Sequence, residues 1–248
     1  MAGTRVGLET AAGVAWITLD GPARRNALDA AAAADLTAAC ERVDADETVG
    51  AAVITGAGPA FCSGADTASL GRLRTVPADQ LYDGLDELYG AFRRFGALRV
   101  PTVAAVNGPA VGAGLNLALA ADIRIMADTA VLRSGFAAIG LHPGGGHLYL
   151  LDRAGPGLAA AMGVFAQPLS AERAVASGLA WAAVPAGELR PAVTALVAHL
   201  AADPPLGRAL AATLGRTVAG RGETGWDQAV EVERARQMWS AARPRKEA

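Results

Sequence analysis

The chain has 248 residues, 52% of them hydrophobic, which allows one sizeable α/β core with or without a helical appendage. Its formal net charge is −2 and its arginines are scattered, which argues against nucleic acid or an anionic membrane surface as partner. No apolar run reaches membrane-spanning length, MAGTRVGLET lacks a signal-peptide core, and Cys40 and Cys62 form neither a disulfide framework nor a metal-ligand spacing with the three histidines, so buried thiols and a cytoplasmic location are expected.

In chain order, the pattern predicts strands from Val6 to Thr10 and from Val14 to Leu19, a Gly-Pro turn, and an alanine-rich helix from its N-cap Asp29 to about Val43. VGAAVITG, 49–56, is an apolar strand that needs cover on both faces, and the loop AGPAFCSGAD follows it. Residues 67–98 begin polar and Pro-interrupted, with the order of 72–80 open, and become helical in the spacing of Leu81, Leu85, Leu88, Phe92 and Phe95. VPTVAAVNG, PAVGAG and LNLALAAD repeat the strand, loop and helix plan, and IRIMA, 123–127, adds a strand. Beyond the Pro-Gly run near 143, helices are expected at roughly 147–164, 170–177, 188–202, 205–217 and 226–242, interrupted only by a short strand in WAAVP, 181–185. Strands alternating with helices at this spacing imply βαβ crossovers and a mainly parallel sheet, with a helical C-terminal third.

Two segments, FCSGAD (61–66) and VGAGLN (111–116), place small residues between a strand and a helix. Such turns let a ligand approach the main chain, and the helix N-terminus offers unpaired N–H donors and partial positive charge. One donor from each would hold an oxyanion or enolate oxygen; as spacing alone, tight βα turns give the same pattern. GAGLNL lacks the third glycine of a dinucleotide fingerprint, and no GKS or GKT makes a phosphate-binding loop.

PARRNALD, TGAGPAFCSGAD, PTVAAVNGPAVGAGLNLALAADIRIMAD, GLHPGGG and LSAERAVASGLAWAAVP together resemble the enoyl-CoA hydratase/isomerase (crotonase) superfamily over nearly the whole chain. The resemblance implies a spiral of ββα units over 1–190 as the acyl-CoA-binding core, and a helical oligomerisation region over 191–248 that builds a homotrimer or homohexamer. It also implies an acyl-CoA thioester substrate, with coenzyme A entering as part of that substrate and no permanently bound cofactor. By motif position the two oxyanion N–H donors would be those of Ser63 and Ala113. Ser63, Gly64, Ala65 and Asp66 would line the CoA site, with Asp66 fixing the loop as a hydrogen-bond acceptor. Arg24 or Arg25 would pair with CoA phosphates, for which a guanidinium fork is suited.

Two positions depart from the family's hydratases, whose paired glutamates position water and move protons. The first falls on Asn116, three residues after the second donor; the second, in F-G-x-P-E, falls on Phe136 in LRSGF. Neither an amide nor a phenyl ring transfers protons near neutral pH. His147 and His142, flanking the glycine loop in GLHPGGGHLYL, are candidate replacements, with packing or capping as the structural alternative. The sequence thus favours acyl-CoA binding with atypical enolate-type chemistry. The alternatives are a non-catalytic acyl-CoA carrier or regulator, and a hydratase using a carboxylate or histidine from elsewhere.

Overall fold

The computed structural model describes residues 3–73, 75–155, 157–217 and 223–242. Its strands among these residues are β1 (Arg5–Ala11), β2 (Val14–Asp20), β3 (Ala51–Gly56), β4 (Thr102–Val106), β5 (Ala110–Val111), β6 (Ile123–Ala127), β7 (Val131–Arg133), β8 (Leu169–Ser170) and β9 (Ala182–Val184). The main sheet runs β1-β2-β3-β4-β6-β9: the first pair is antiparallel and every later pair parallel. β4 is buried along its whole length and β3 along most of it, whereas the edge strand β1 is half-exposed or exposed throughout, as expected for a sheet covered on both faces except at its rim.

The helices are α1 (Ala30–Ala45), α2 (Thr67–Leu73), α3 (Ala78–Gly96), α4 (Ala113–Ala120), α5 (His147–Ala154), α6 (Ala171–Ala176), α7 (Leu189–Ala202), α8 (Pro204–Thr217) and α9 (Glu223–Ala241). Asp29 caps α1 as expected, its side chain accepting from Ala32 N at 3.0 Å. In α3 the apolar stripe Leu81, Leu85, Phe92 and Phe95 is buried. α7 packs on β3, β4 and β6, while α9 crosses back over α3 and α5. None of the described helices is long and apolar enough to cross a membrane.

The structure differs from the sequence expectation in three places. Thr67–Leu73 form a helix, α2, where only a polar segment was expected, and α3 starts at Ala78, while Arg74 lies outside the described residues. The helix expected over 147–164 stops at Ala154, where Gly155 donates its amide to Leu151 O, and resumes as a π-helical stretch, Ala159–Val164. A second sheet, β5-β7-β8, was not expected: its strands have only two or three residues each, too few to show a period.

That small sheet fixes the loops of the site. Cys62 N donates to Pro109 O and Val111 N to Cys62 O at 2.9 Å, so the loop after β3 is stitched to β5. Gly114 lies against this seam: a Cβ there would stand 2.4 Å from Cys62 O and 2.7 Å from Cys62 Cβ. On the other flank, buried Asn26 donates Nδ2 to the carbonyls of Ala57, Ala60 and Phe61 and accepts Gly21 N–H on Oδ1, tying the PARRN turn to the same loop. Gly114→Ala is expected to lower unfolding free energy by about 1–3 kcal/mol through overpacking, measured by urea denaturation; unchanged stability would show that the seam yields freely.

Candidate active site

The two loop-to-helix junctions meet. A Cβ on Gly64, whose φ is +99°, would stand 2.7 Å from Val111 O and 3.6 Å from Ala113 N, so only glycine lets the loops approach this closely. Ala113 is the first residue of α4, its amide has no partner among the described residues, and the preceding Gly112 takes φ +54° to present it. At the first junction the expected donor is already bonded. The Ser63 amide is occupied, donating to Arg25 O at 2.9 Å, and the Gly64 amide faces Cys62 Sγ at 3.4 Å, whereas the Ala65 amide has no partner among the described residues. The reason is register: Leu28 N donates to Gly64 O and Asp66 N donates to Leu28 O, and in this parallel bridge the amide between them, that of Ala65, is turned away.

Around this pair the expected CoA-loop residues divide. Asp66, buried, caps α2: its Oδ1 accepts from Ser69 N at 2.9 Å and Ser69 Oγ at 3.0 Å, while Oδ2 pairs with Arg24. Arg24 is therefore already engaged. Arg25 is exposed, holds a left-handed conformation with φ +51°, and has no ionic partner among the described residues. Ser63 Oγ donates to Arg24 O. Cys62 is fully buried and its thiol is pushed up to about 12 by desolvation, so it is inert.

The amides open on a cavity of about 150 Å³ between α3, α4 and the loop after β7. Its apolar wall comes from Leu70, Leu85, Leu88, Phe136, Ile139 and Leu141, and among the described residues no carboxylate lines it. Asn116 and Phe136 both reach it, as does Ser134, to which the sequence had given no role. Behind them lies His147, fully buried. Asn116 Nδ2 donates to Gly144 O at 2.8 Å, and a carbonyl can only accept, so Asn116 Oδ1 faces His147 Nδ1 at 2.5 Å. Nδ1 must then carry the hydrogen. In the neutral ring Nε2 is the acceptor, and Ser134 Oγ donates to it at 2.6 Å. Phe136 meets the imidazole edge-on, with ring centroids 5.0 Å apart and planes at 68°. Burial pushes the imidazole pKa down to about 3, so the ring is neutral at physiological pH.

His142 is a different case. It is half-buried, its Nδ1 lies 2.7 Å from its neighbour's carbonyl, Pro143 O, and it does not line the cavity. The glycine loop between the two histidines is required by contact: a Cβ at Gly145, φ +76°, would fall 2.7 Å from Asn116 Nδ2, and one at Gly146, also φ +76°, 2.4 Å from the Trp226 ring.

α9 supplies what sequence reasoning missed. Glu233 receives His147 N at 2.7 Å and Leu148 N at 2.9 Å, capping α5 from a distant helix; desolvation raises its pKa against those bonds. Trp226 Nε1 donates to Gly145 O at 3.0 Å, and Tyr89 OH donates to Gln237, which also lines the cavity. No local signal marks these three α9 residues; Ser134 alone was within reach, as the variable position of the LRSGF segment.

Repeated βα units on a mainly parallel sheet, closed by C-terminal helices, define the crotonase-like class of α/β fold, and solved members superpose closely. An enoyl-CoA hydratase/isomerase from Xanthobacter autotrophicus matches with a TM-score of 0.88 at 29% identity, over 98% of this chain and 90% of that one. An enoyl-CoA hydratase from Mycobacterium avium subsp. paratuberculosis matches with 0.83 at 31% identity, over 96% and 94%. The model of the enoyl-CoA hydratase/isomerase family matches residues 9–239, and the chain belongs to that family. It is 36% identical over 200 residues to the 1,2-epoxyphenylacetyl-CoA isomerase of Escherichia coli, covering 80% of this chain and 76% of that protein. It is 49% identical over 168 residues to a protein named as a probable enoyl-CoA hydratase of Mycobacterium tuberculosis; the match covers 67% of this chain and spans 64% of that relative's length.

The buried histidine gives a stability test. Its folded pKa, near 3, lies below the unfolded 6.5, so the unfolded chain binds the extra proton as pH falls through that window, and stability drops from pH 6.5 downward. From pH 7 to pH 5 this amounts to about 2 kcal/mol. Denaturation across that range is expected to show a steeper acid-side loss in the wild type than in His147→Gln; equal slopes would contradict a neutral, buried imidazole.

Proposed function

We propose that the chain binds acyl-CoA thioesters, holds the thioester oxygen between the amides of Ala65 and Ala113, and does not hydrate enoyl-CoA at the rate of a two-glutamate hydratase. The observation that carries this is the pair of amides, unpartnered among the described residues, at the mouth of a cavity that no described carboxylate lines. Each such donor is worth about 3–4 kcal/mol to a developing oxyanion, so the site stabilises charge on the carbonyl oxygen. Asn116 and Phe136 stand where the family's resemblance puts the glutamates, and their contacts support that reading: the amide is held by Gly144 O and His147, and the ring closes the apolar wall. With neither group able to move a proton, water addition across a double bond lacks the glutamate pair that serves it as acid and base in the two-glutamate hydratases.

The cavity volume is similar to that of a void that holds benzene, so an acyl chain of about six carbons fits. A larger adjoining cleft of about 370 Å³ shares Ala65, Leu70, Leu85 and Leu88 with it and leads outward past Asp29 and Gln80. Arg25, exposed beside the Ser63 loop and without an ionic partner among the described residues, offers a guanidinium to a CoA phosphate. Assembly into a homotrimer or homohexamer and a cytoplasmic location complete the proposal. Exposed Val164, Phe165 and Trp181, each more than 60% accessible, support a covered surface. In the proposed division into a core, 1–190, and an oligomerisation region, 191–248, α9 also serves the site.

Calorimetry is expected to show saturable binding of hexanoyl-CoA. Hydration of crotonyl-CoA, followed by loss of enoyl thioester absorbance, should be at least about 10²-fold slower than in a two-glutamate relative. A matching hydration rate would overturn the assignment of Asn116 and Phe136, and absence of hexanoyl-CoA binding would overturn the thioester site.

A further inference from the structure

We infer that Ser134, His147 and Asn116 form a nucleophile, base and orienting amide that cleave the bound acyl thioester through an acyl-Ser134 intermediate, which makes the chain an acyl-CoA hydrolase. The inference rests on the thioester reading above and goes beyond it by naming the reacting group and the bond broken. Three observations carry it. The order of the hydrogen bonds runs outward from Asn116 Oδ1 to His147 Nδ1 at 2.5 Å, and from His147 Nε2 to Ser134 Oγ at 2.6 Å, with the serine at the cavity wall and the histidine behind it. The amide cannot turn the wrong way round, because Gly144 O holds its NH₂ end; a flipped amide would donate to Nδ1 and leave the ring in the tautomer that cannot accept the serine proton.

The third observation is position. β7 runs parallel to β5, pairing Val111 with Arg133, so Ser134 follows directly alongside Gly112, the residue before the oxyanion donor Ala113. A Cβ on Gly112 would lie 3.4 Å from the Ser134 carbonyl oxygen. Nucleophile and oxyanion donor are thereby carried by adjacent strand ends rather than by separate faces of the cavity. Of the other hydroxyls at the wall, Ser63 Oγ bonds Arg24 O, Tyr89 bonds Gln237 with its phenol pushed up by burial, and Thr67 has no histidine or carboxylate bonded to it among the described residues.

The reaction balances with water as the sole co-reactant. Ser134 Oγ forms a bond to the thioester carbonyl carbon as its proton passes to His147 Nε2, and the carbonyl π pair moves onto the oxygen held by Ala65 and Ala113. Collapse re-forms the carbonyl and breaks the C–S bond; the imidazolium returns its proton to the leaving sulfur, releasing CoA thiol and leaving an ester on Ser134. Water then adds to that ester, giving its proton to Nε2, and cleavage of the C–Oγ bond frees the carboxylic acid as the serine is reprotonated. Thioester and water become acid and thiol, and nothing is oxidised or reduced. Burial that lowers the imidazole pKa and an amide in place of a carboxylate both disfavour the imidazolium, so turnover is expected to be slower than in sites with an aspartate.

Hexanoyl-CoA is the substrate for the test because a saturated chain cannot be hydrated or isomerised. Free thiol release is expected in the wild type and at least about 10²-fold slower release in Ser134→Ala and His147→Gln, with the calorimetric Kd for free coenzyme A, which carries no thioester, within about threefold between Ser134→Ala and the wild type. Acid quench and mass spectrometry should find a hydroxylamine-labile hexanoyl adduct on Ser134. Because Ser134→Ala removes a buried hydrogen bond and could unfold, labelling of the wild type by a fluorophosphonate probe, mapped to Ser134, provides an independent readout; no labelling there counts against the inference. Binding without thiol release, or release unchanged in a folded Ser134→Ala, overturns the hydrolase inference while leaving the thioester site standing. No binding of hexanoyl-CoA removes both.

Discussion

The arrangement depends on one backbone seam. Val111 N–H donates to Cys62 O, and Cys62 N–H to Pro109 O, joining two loops that leave neighbouring strands of the same parallel sheet. Strand ends in such a sheet converge but do not touch, and side chains on either loop would hold them apart. Here Gly64 and Gly114 remove that obstacle, each lying where a Cβ would meet the opposite backbone under 3 Å away. Once the seam closes, the amides of Ala65 and Ala113 face one space, and the register that occupies the Ser63 amide leaves that of Ala65 open.

A second constraint is polar and fully buried. Asn116, His147 and Ser134 are each at most 3% exposed, so every donor and acceptor among them needs a partner. The Gly144 carbonyl satisfies the asparagine NH₂, which fixes in turn the histidine tautomer and the serine proton. Glycine at 145 and 146 is what allows the loop to come near enough, and Trp226 and Glu233 of α9 hold the loop and the start of α5 in place. The C-terminal helix therefore does more than cover the core. It determines where the imidazole stands.

Much of this was legible in the sequence and some was not, for identifiable reasons. Long apolar strands such as β3 and β4 and the capped helix α1 follow from local pattern, and the glycine-rich junctions announce close approach of main chains. At the first junction the Ser63 amide is bonded and that of Ala65 has no partner among the described residues, because which amide is left over depends on pairing with Leu28, far away in the chain. Ser134 sat unremarked in LRSGF: a serine has no local signal of activation until a base lies against it. Glu233, as a cap for α5, comes from 86 residues downstream of the amide it receives.

By itself the sequence determined the family, the βα framework, the small residues at the two junctions, and the substitution of an amide and a phenyl ring at the positions that the resemblance assigns to glutamates. These are properties of local composition and spacing, which the chain carries before it folds. Only the tertiary structure decided which amides remain unpaired, which nitrogen of His147 carries its hydrogen, and that a serine from one strand end meets a histidine from one helix and an asparagine from another. Hydrogen-bond roles are settled by partners, and partners separated by tens of residues are chosen by packing alone.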